Sequence, residues 1–196
     1  PPRSTLFPYT TLFRSVIKGD EDTYDVISTP AADWTENYPT FGLIYRSRLW
    51  CFGNTNRPDF LYASKFQDYE NFTPGTNPTD ALLFDIFPGD GEAITAAFVF
   101  KGVLFVVKNP GLYRLNDADS DPDNWYFDKV NSDFGVVSSH AVAQIFDDVL
   151  LLNNQGSVTI LSAAFQFGDI ESADLFNRLL VERYFRNLVS GYGLKK

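Results

Sequence analysis

Short apolar blocks alternate with polar ones along this chain, and three of the blocks follow one pattern. They are Leu43-Ile44-Tyr45-Arg46-Ser47-Arg48-Leu49-Trp50-Cys51-Phe52, Phe98-Val99-Phe100-Lys101-Gly102-Val103-Leu104-Phe105-Val106-Val107 and Gln144-Ile145-Phe146-Asp147-Asp148-Val149-Leu150-Leu151-Leu152-Asn153. Each reads as an apolar strand, a two-residue polar turn and a second apolar strand. Ser47, Gly102 and Asp148 fall in the turn, where short polar residues and glycine tolerate the backbone angles a tight hairpin needs. After each hairpin comes a loop and a third strand: Asp59–Ser64, Gly111–Leu115 and Ser157–Leu161. Asn109-Pro110-Gly111 and Asn153-Asn154-Gln155-Gly156 are the turn signals between them.

The interval is 55 residues from Ile44 to Val99 and 46 from Val99 to Ile145. Periods of roughly 40–50 residues with four short strands each are the signature of β-propeller blades, because a small twisted sheet buries both faces only by stacking on its neighbours. A β-sandwich also gives short strands and Gly/Pro turns, but it does not predict the same hairpin–loop–strand order three times. The fold class expected is therefore all-β, a partial β-propeller of about three four-stranded blades. Its units are expected at about 34–80, 90–135 and 138–171 within a propeller fragment covering 16–171. The fourth strands are expected at Asp68–Phe72 and Asn124–Asp128. From Ser172 to Ser190 the apolar residues Leu175, Phe176, Leu179, Leu180, Tyr184 and Leu188 fall at helical spacing. Ser172 serves as N-cap and Gly191 as stop, so a helix over 172–190 is predicted, packed beside the blades.

The first fifteen residues stand apart. Thr5-Leu6-Phe7-Pro8-Tyr9-Thr10-Thr11-Leu12-Phe13-Arg14-Ser15 is the one-frame translation of the end of a widely used short-read sequencing adapter. Residues 1–15 are accordingly expected to be an artefactual leader, with Val16 the first native residue. The six residues 191–196 look like the start of a further strand, so truncation is expected at that end too.

Composition narrows the classes. The net charge is −9, and setting aside Arg3 and Arg14 of the leader leaves −11. Such a chain repels phosphate, which argues against nonspecific nucleic-acid binding but not against a conduit through which DNA slides. The single cysteine, Cys51, excludes an internal disulfide and a cysteine-based zinc site, and its apolar neighbours make a buried thiol the expected state. No apolar run reaches the roughly 18 residues of a membrane span.

Candidate chemistry is sparse. His140 is the only histidine, so no two-histidine metal site forms, and Ser138 and Ser139 beside it sit in no nucleophile-elbow context. Asp117, Asp119, Asp121 and Asp123, with Asp128 further on, alternate as calcium-loop carboxylates do, because a hard cation takes several oxygens at close range. Against this, Pro122 stands where that loop needs glycine and Asp128 where it needs glutamate. Pro88-Gly89-Asp90-Gly91 lacks the Lys-Ser/Thr of a phosphate loop and reads as the turn into a strand over Ala93–Val99. No sialidase-type Ser-x-Asp-x-Gly-x-Thr-Trp box occurs. No catalytic residue, resident metal or cofactor is expected, and the chain is read as a non-enzyme.

The run Arg48-Leu49-Trp50-Cys51-Phe52-Gly53-Asn54, then Arg57-Pro58-Asp59-Phe60-Leu61-Tyr62-Ala63-Ser64, then Tyr69-Glu70-Asn71-Phe72, resembles a pattern in tailed-phage virion proteins. These are the packaged-DNA stabilisation and tail-tubular, or nozzle, components of short-tailed phages, which carry a β-propeller. Pro88–Ile94 followed by Phe105–Tyr113 looks like the next unit of that family, and the resemblance covers roughly residues 34–165. It implies a structural protein of the virion, at the tail or head–tail junction. Its partners would be portal or adaptor and tail proteins and further copies of itself, around DNA that passes without sequence-specific binding, with no membrane. The other readings are a carbohydrate-binding or glycoside-hydrolysing propeller, for which Trp34 and Trp125 would have to line a cleft with paired acids, and a cellular protein-interaction propeller. A partial ring is also expected to leave strand edges and a blade face uncovered, and so to self-associate.

Overall fold

Hairpin after hairpin, the apolar blocks form antiparallel sheets in chain order. The computed structural model describes residues 15–17, 24–26, 29–34, 37–87, 92–131, 135–145, 148–153 and 158–161. The chain divides into two compact units, Pro1–Gly91 and Glu92–Lys196. The predicted helix over 172–190, the end at 191–196, the turn Pro88–Gly91 and most of the leader lie outside the described residues.

In the first unit β1 (Ser15–Ile17) pairs with β2 (Tyr24–Val26), so Ser15 and its neighbours take part in a two-stranded ladder. The first large sheet follows: β3 (Phe41–Tyr45), β4 (Arg48–Phe52), β5 (Phe60–Ala63) and β6 (Leu82–Asp85), each hydrogen-bonded to the next. Arg46 and Ser47 join β3 to β4 with φ of 50° and 55°, the double positive-φ turn whose twist matches the strands it connects. Every residue of β4 is buried. Its side chains are buried on both faces of this central strand, while Ile44 and Leu83 on the neighbouring strands stay exposed.

Alternation along β4 sends Leu49 and Cys51 to one face and Trp50 and Phe52 to the other. On the second face Trp50 stacks on Phe84 at 5.8 Å, and its indole N–H donates to the Tyr45 carbonyl at 3.0 Å. On the first face Leu49, Cys51 and Tyr62 form one cluster with Ala31, Trp34 and Phe72, and Tyr38, Phe60 and Tyr69 pack at its margin. Trp34 is fully buried there, edge-on to Tyr62 at 5.1 Å and 4.6 Å from Phe72.

The second unit repeats the plan. Strands β7 (Ile94–Phe100), β8 (Val103–Lys108), β9 (Gly111–Asn116) and β10 (Tyr126–Asn131) form a four-stranded meander. Lys101 and Gly102 make the same positive-φ turn. Strands β11 (Val142–Ile145), β12 (Asp148–Leu152) and β13 (Val158–Ile160) form a three-stranded sheet. These two sheets pack face to face: Ala96, Phe98, Phe100, Phe105, Val107 and Leu112 share a core with Val149, Leu151 and Leu161, and Val142 packs against it. Burying such a layer of aromatic and branched side chains supplies the main driving force, roughly 25 cal/mol per Å² of apolar surface.

The expected all-β class is present. Three details differ. The fourth strand of the first sheet is Leu82–Asp85 rather than Asp68–Phe72; the latter segment makes isolated bridges, Lys65 with Asp68 and Asn71 with Thr29. The fourth strand of the second sheet starts at Tyr126, after a short 3-10 turn over Pro122–Asn124. Asp148 is the first residue of its strand, paired with Ile145, and not a turn residue. The three hairpins and the three third strands stand where the apolar blocks put them.

Candidate functional site

The segment 48–72, whose motif drew attention in the sequence, is held together around one buried cation. Arg48 is only 1% exposed. Its Nη1 donates to the carbonyls of Ser64 at 2.7 Å and Asp80 at 2.6 Å, and its Nη2 to that of Pro78 at 2.6 Å. Desolvation lowers its pKa, and the nearby Asp80 carboxylate opposes the shift. Ser64 closes the arrangement, since its hydroxyl accepts from the Leu49 N–H at 2.9 Å and its own N–H donates to the Leu49 carbonyl at 2.8 Å. Arg48 thereby ties the end of β5 to the loop that returns the chain to β6. The Asp80 carboxylate is held below its ordinary range by the backbone and side-chain N–H groups of Asn77, at 3.0 and 2.9 Å, with help from Lys65 and Arg48.

The other motif residues also serve the frame. Gly53 has φ of +77°, and a Cβ there would lie 2.2 Å from Thr40 Oγ1. Asn54 accepts from the N–H groups of Asn56 and Arg57 at 2.9 and 3.2 Å and donates to the Asn37 carbonyl at 2.8 Å. Asn71 accepts from the Thr73 N–H at 3.0 Å, and Phe72 lies in the core beneath Trp34.

One hollow opens beside this frame, of about 210 Å³ and lined by Ala31, Asp33, Arg57, Tyr62, Phe72 and Leu83 among others. Tyr62 donates to Asp33 Oδ2 at 2.6 Å, and Arg57 Nε lies 3.5 Å from the same oxygen while its guanidinium covers the Phe60 ring at 4.6 Å. Burial, then the hydrogen bond and charge of Asp33, push the Tyr62 hydroxyl well above the ordinary phenol range. A phenol so shifted is a hydrogen-bond donor at neutral pH, not a base. Among the described residues that line it, Asp33 is the one carboxylate.

The acidic loop is organised by its own hydrogen bonds. Asp119 Oδ1 accepts from the Asp121 N–H at 2.9 Å and Asp119 Oδ2 from Asn124 at 3.1 Å. Asp121 Oδ1 caps the 3-10 turn through the Asp123 N–H at 3.1 Å, and the Trp125 indole donates to the Asp119 carbonyl at 2.8 Å. Asp128 lies on β10, 3.3 Å from Arg114 Nη2. Asp117 and Asp123 lie at either end of the loop. Among the described residues no group of three or more His, Cys, Asp or Glu is placed to hold a metal ion.

His140 is exposed in a short 3-10 turn, its Nδ1 3.3 Å from Ser138 Oγ. Cys51 is fully buried, and burial raises its thiol pKa strongly. The condition that Trp34 line a cleft is not met, because that ring lies inside the sheet face. Trp125 is half-buried and bonded to its own loop. Among the described residues no helix is long and apolar enough to cross a membrane. No family model matches the chain, and no curated protein matches it.

The buried role of Arg48 was not readable in the sequence, where it stood only as the first residue of the motif run. Its one signal is position: it pairs with Tyr45 at the base of a hairpin whose partner strand is wholly apolar.

Proposed function

We propose that this chain is part of a β-propeller structural protein of a phage virion, at the tail or the head–tail junction, acting by assembly and not by turnover. The observation that carries the reading is the use of the motif over 48–72. Arg48, Gly53, Asn54, Ser64, Asn71 and Phe72 are all spent on turns, carbonyl clamping and core, which suits an architectural motif rather than a catalytic one. Support for blades comes from the second unit, where consecutive meanders pack face to face as radially stacked sheets do. The acidic net charge of −9 suits a lumen wall along which DNA slides.

Long-read sequencing of the source DNA through the locus tests the reading. Neighbouring portal, terminase and tail genes are expected. A neighbourhood of sugar-utilisation genes would favour the carbohydrate reading, which glycan-array screening of the protein then checks.

A further inference from the structure

The hollow beside Tyr62 holds about 210 Å³. That exceeds the roughly 150 Å³ that suffices for a benzene ring and falls short of the about 300 Å³ at which small-molecule and cofactor pockets begin, so it suits one amino-acid side chain. Its walls are mostly apolar, with Ala31, Phe72, Pro74 and Leu83 among them. Tyr62 and Arg57 Nε both approach Asp33 Oδ2, at 2.6 and 3.5 Å, so among the described residues Asp33 Oδ1 and the Arg57 Nη groups carry no hydrogen bond. The guanidinium is held over the Phe60 ring at 4.6 Å. The hollow thus offers one acceptor and one donor edge with no net charge between them. An uncharged amide suits both, its N–H on Asp33 and its carbonyl on Arg57, whereas a carboxylate would meet the Asp33 charge and an amine that of Arg57.

The same hollow lies beside an open strand edge. Strand β6 ends its sheet, and beyond Ala81, which bridges to Pro74, no strand runs along its outer side among the described residues. The Ile86 N–H donates to the Asp59 carbonyl at 3.1 Å, and Leu61 pairs with Phe84 in the same register. Hydrogen-bonded pairs alternate along an antiparallel ladder, so the backbone groups of Phe84 turn toward β5 and those of Leu83 and Asp85 turn outward. Leu83 lines the hollow and is 45% exposed. A segment laid along this edge would carry one side chain into the hollow next to Leu83.

We propose that the β6 edge and the hollow form a docking site for an extended segment of another protein. The segment adds a strand at Leu83 and Asp85 and buries one aliphatic side chain in the hollow, with its uncharged backbone beside Asp33 and Arg57. Nothing in the core has to move for it. The inference rests on strand register and the hollow and is independent of the virion reading.

The probe is the peptide acetyl-Thr-Thr-Leu-Thr-Thr-amide, added to the full chain and followed by backbone amide NMR shifts. Saturable shifts at Ala31, Asp33, Leu83 and Asp85 are expected, with affinity in the millimolar range. Glycine in place of the central leucine should weaken binding at least about 5-fold, as should Arg57→Gln, which alters a half-exposed side chain outside the core. Acetyl-leucinamide, too short to add a strand, should also bind at least about 5-fold more weakly than the peptide. No saturable shift up to about 50 mM peptide would overturn the proposal, and so would unchanged affinity in any of the three comparisons. Equal binding of acetyl-leucinamide would mark a pocket for a small amide instead. A chain that sediments as a dimer and is returned to monomer by Leu83→Lys would assign the edge to a second copy and overturn the proposal as well.

Discussion

Arg48 and Ser64 are bound to one another through three elements of the same corner: the guanidinium donates to the Ser64 carbonyl at 2.7 Å, and the Ser64 hydroxyl and N–H both pair with Leu49, the residue next to Arg48. A charge this deeply buried costs several kcal/mol of desolvation unless its donors find partners, and here three carbonyls accept from it. The frame of sheet β3–β6 depends on this corner.

Arg48→Ala strands the carbonyls of Ser64, Pro78 and Asp80, and is expected to destabilise the first unit by about 3–5 kcal/mol in urea unfolding. Arg48→Lys keeps the charge but loses the planar fork, and should recover only part of the loss. A lysine variant as stable as the parent would show that charge alone matters there.

Gly53→Ala places a methyl group against Thr40 at a φ of +77°. A loss of about 1–2 kcal/mol is expected, since both strain and contact oppose it. Gly53→Ala combined with Thr40→Ala, which removes the Oγ1 the methyl would meet, should remain destabilised relative to Thr40→Ala alone if backbone strain dominates, and thermal melts of the variants separate the contributions.

Tyr62 gives the first unit a dependence on alkaline pH. Its folded-state pKa is raised, by burial first and by Asp33 second. The stabilisation this represents is fully present below the unfolded phenol value of about 10 and is lost as pH rises from there. Spectrophotometric titration should show a late-ionising component that is lost in Tyr62→Phe; an unchanged curve would contradict the geometry.

Calcium should have little hold on the acidic loop. Oxygens of Asp119, Asp121 and Asp128 are engaged by Asp121 N–H, Asn124, Asp123 N–H and Arg114, and a cation would have to displace them. Calorimetric titration with calcium is expected to give no binding heat. A one-to-one isotherm lost in Asp119→Ala would reverse that expectation.

The hairpins were legible because their apolar blocks are long, β-rich and broken by two polar residues. Leu82–Asp85 was not, since four residues holding one aromatic and no β-branched side chain carry little strand signal. Asp68–Phe72 drew the assignment by its two aromatics, yet Tyr69 and Phe72 serve the core cluster around Trp34 instead. Trp34 was the clearest miss. A tryptophan in a loop between acidic residues looks exposed in sequence, and only the sheet face it covers, assembled from residues fifteen or more positions away, shows that it is core. Arg48 was hidden for a related reason: its acceptors are backbone carbonyls, which leave no mark on side-chain patterns.

The central claim is assembly into a virion, and peptide mass spectrometry of purified virions from the source tests it most directly. Peptides of this chain, such as Leu115–Lys129, are expected at multiple copies per particle alongside the portal and tail proteins. Their absence from intact virions, with the protein found in the host-cell fraction instead, would contradict it.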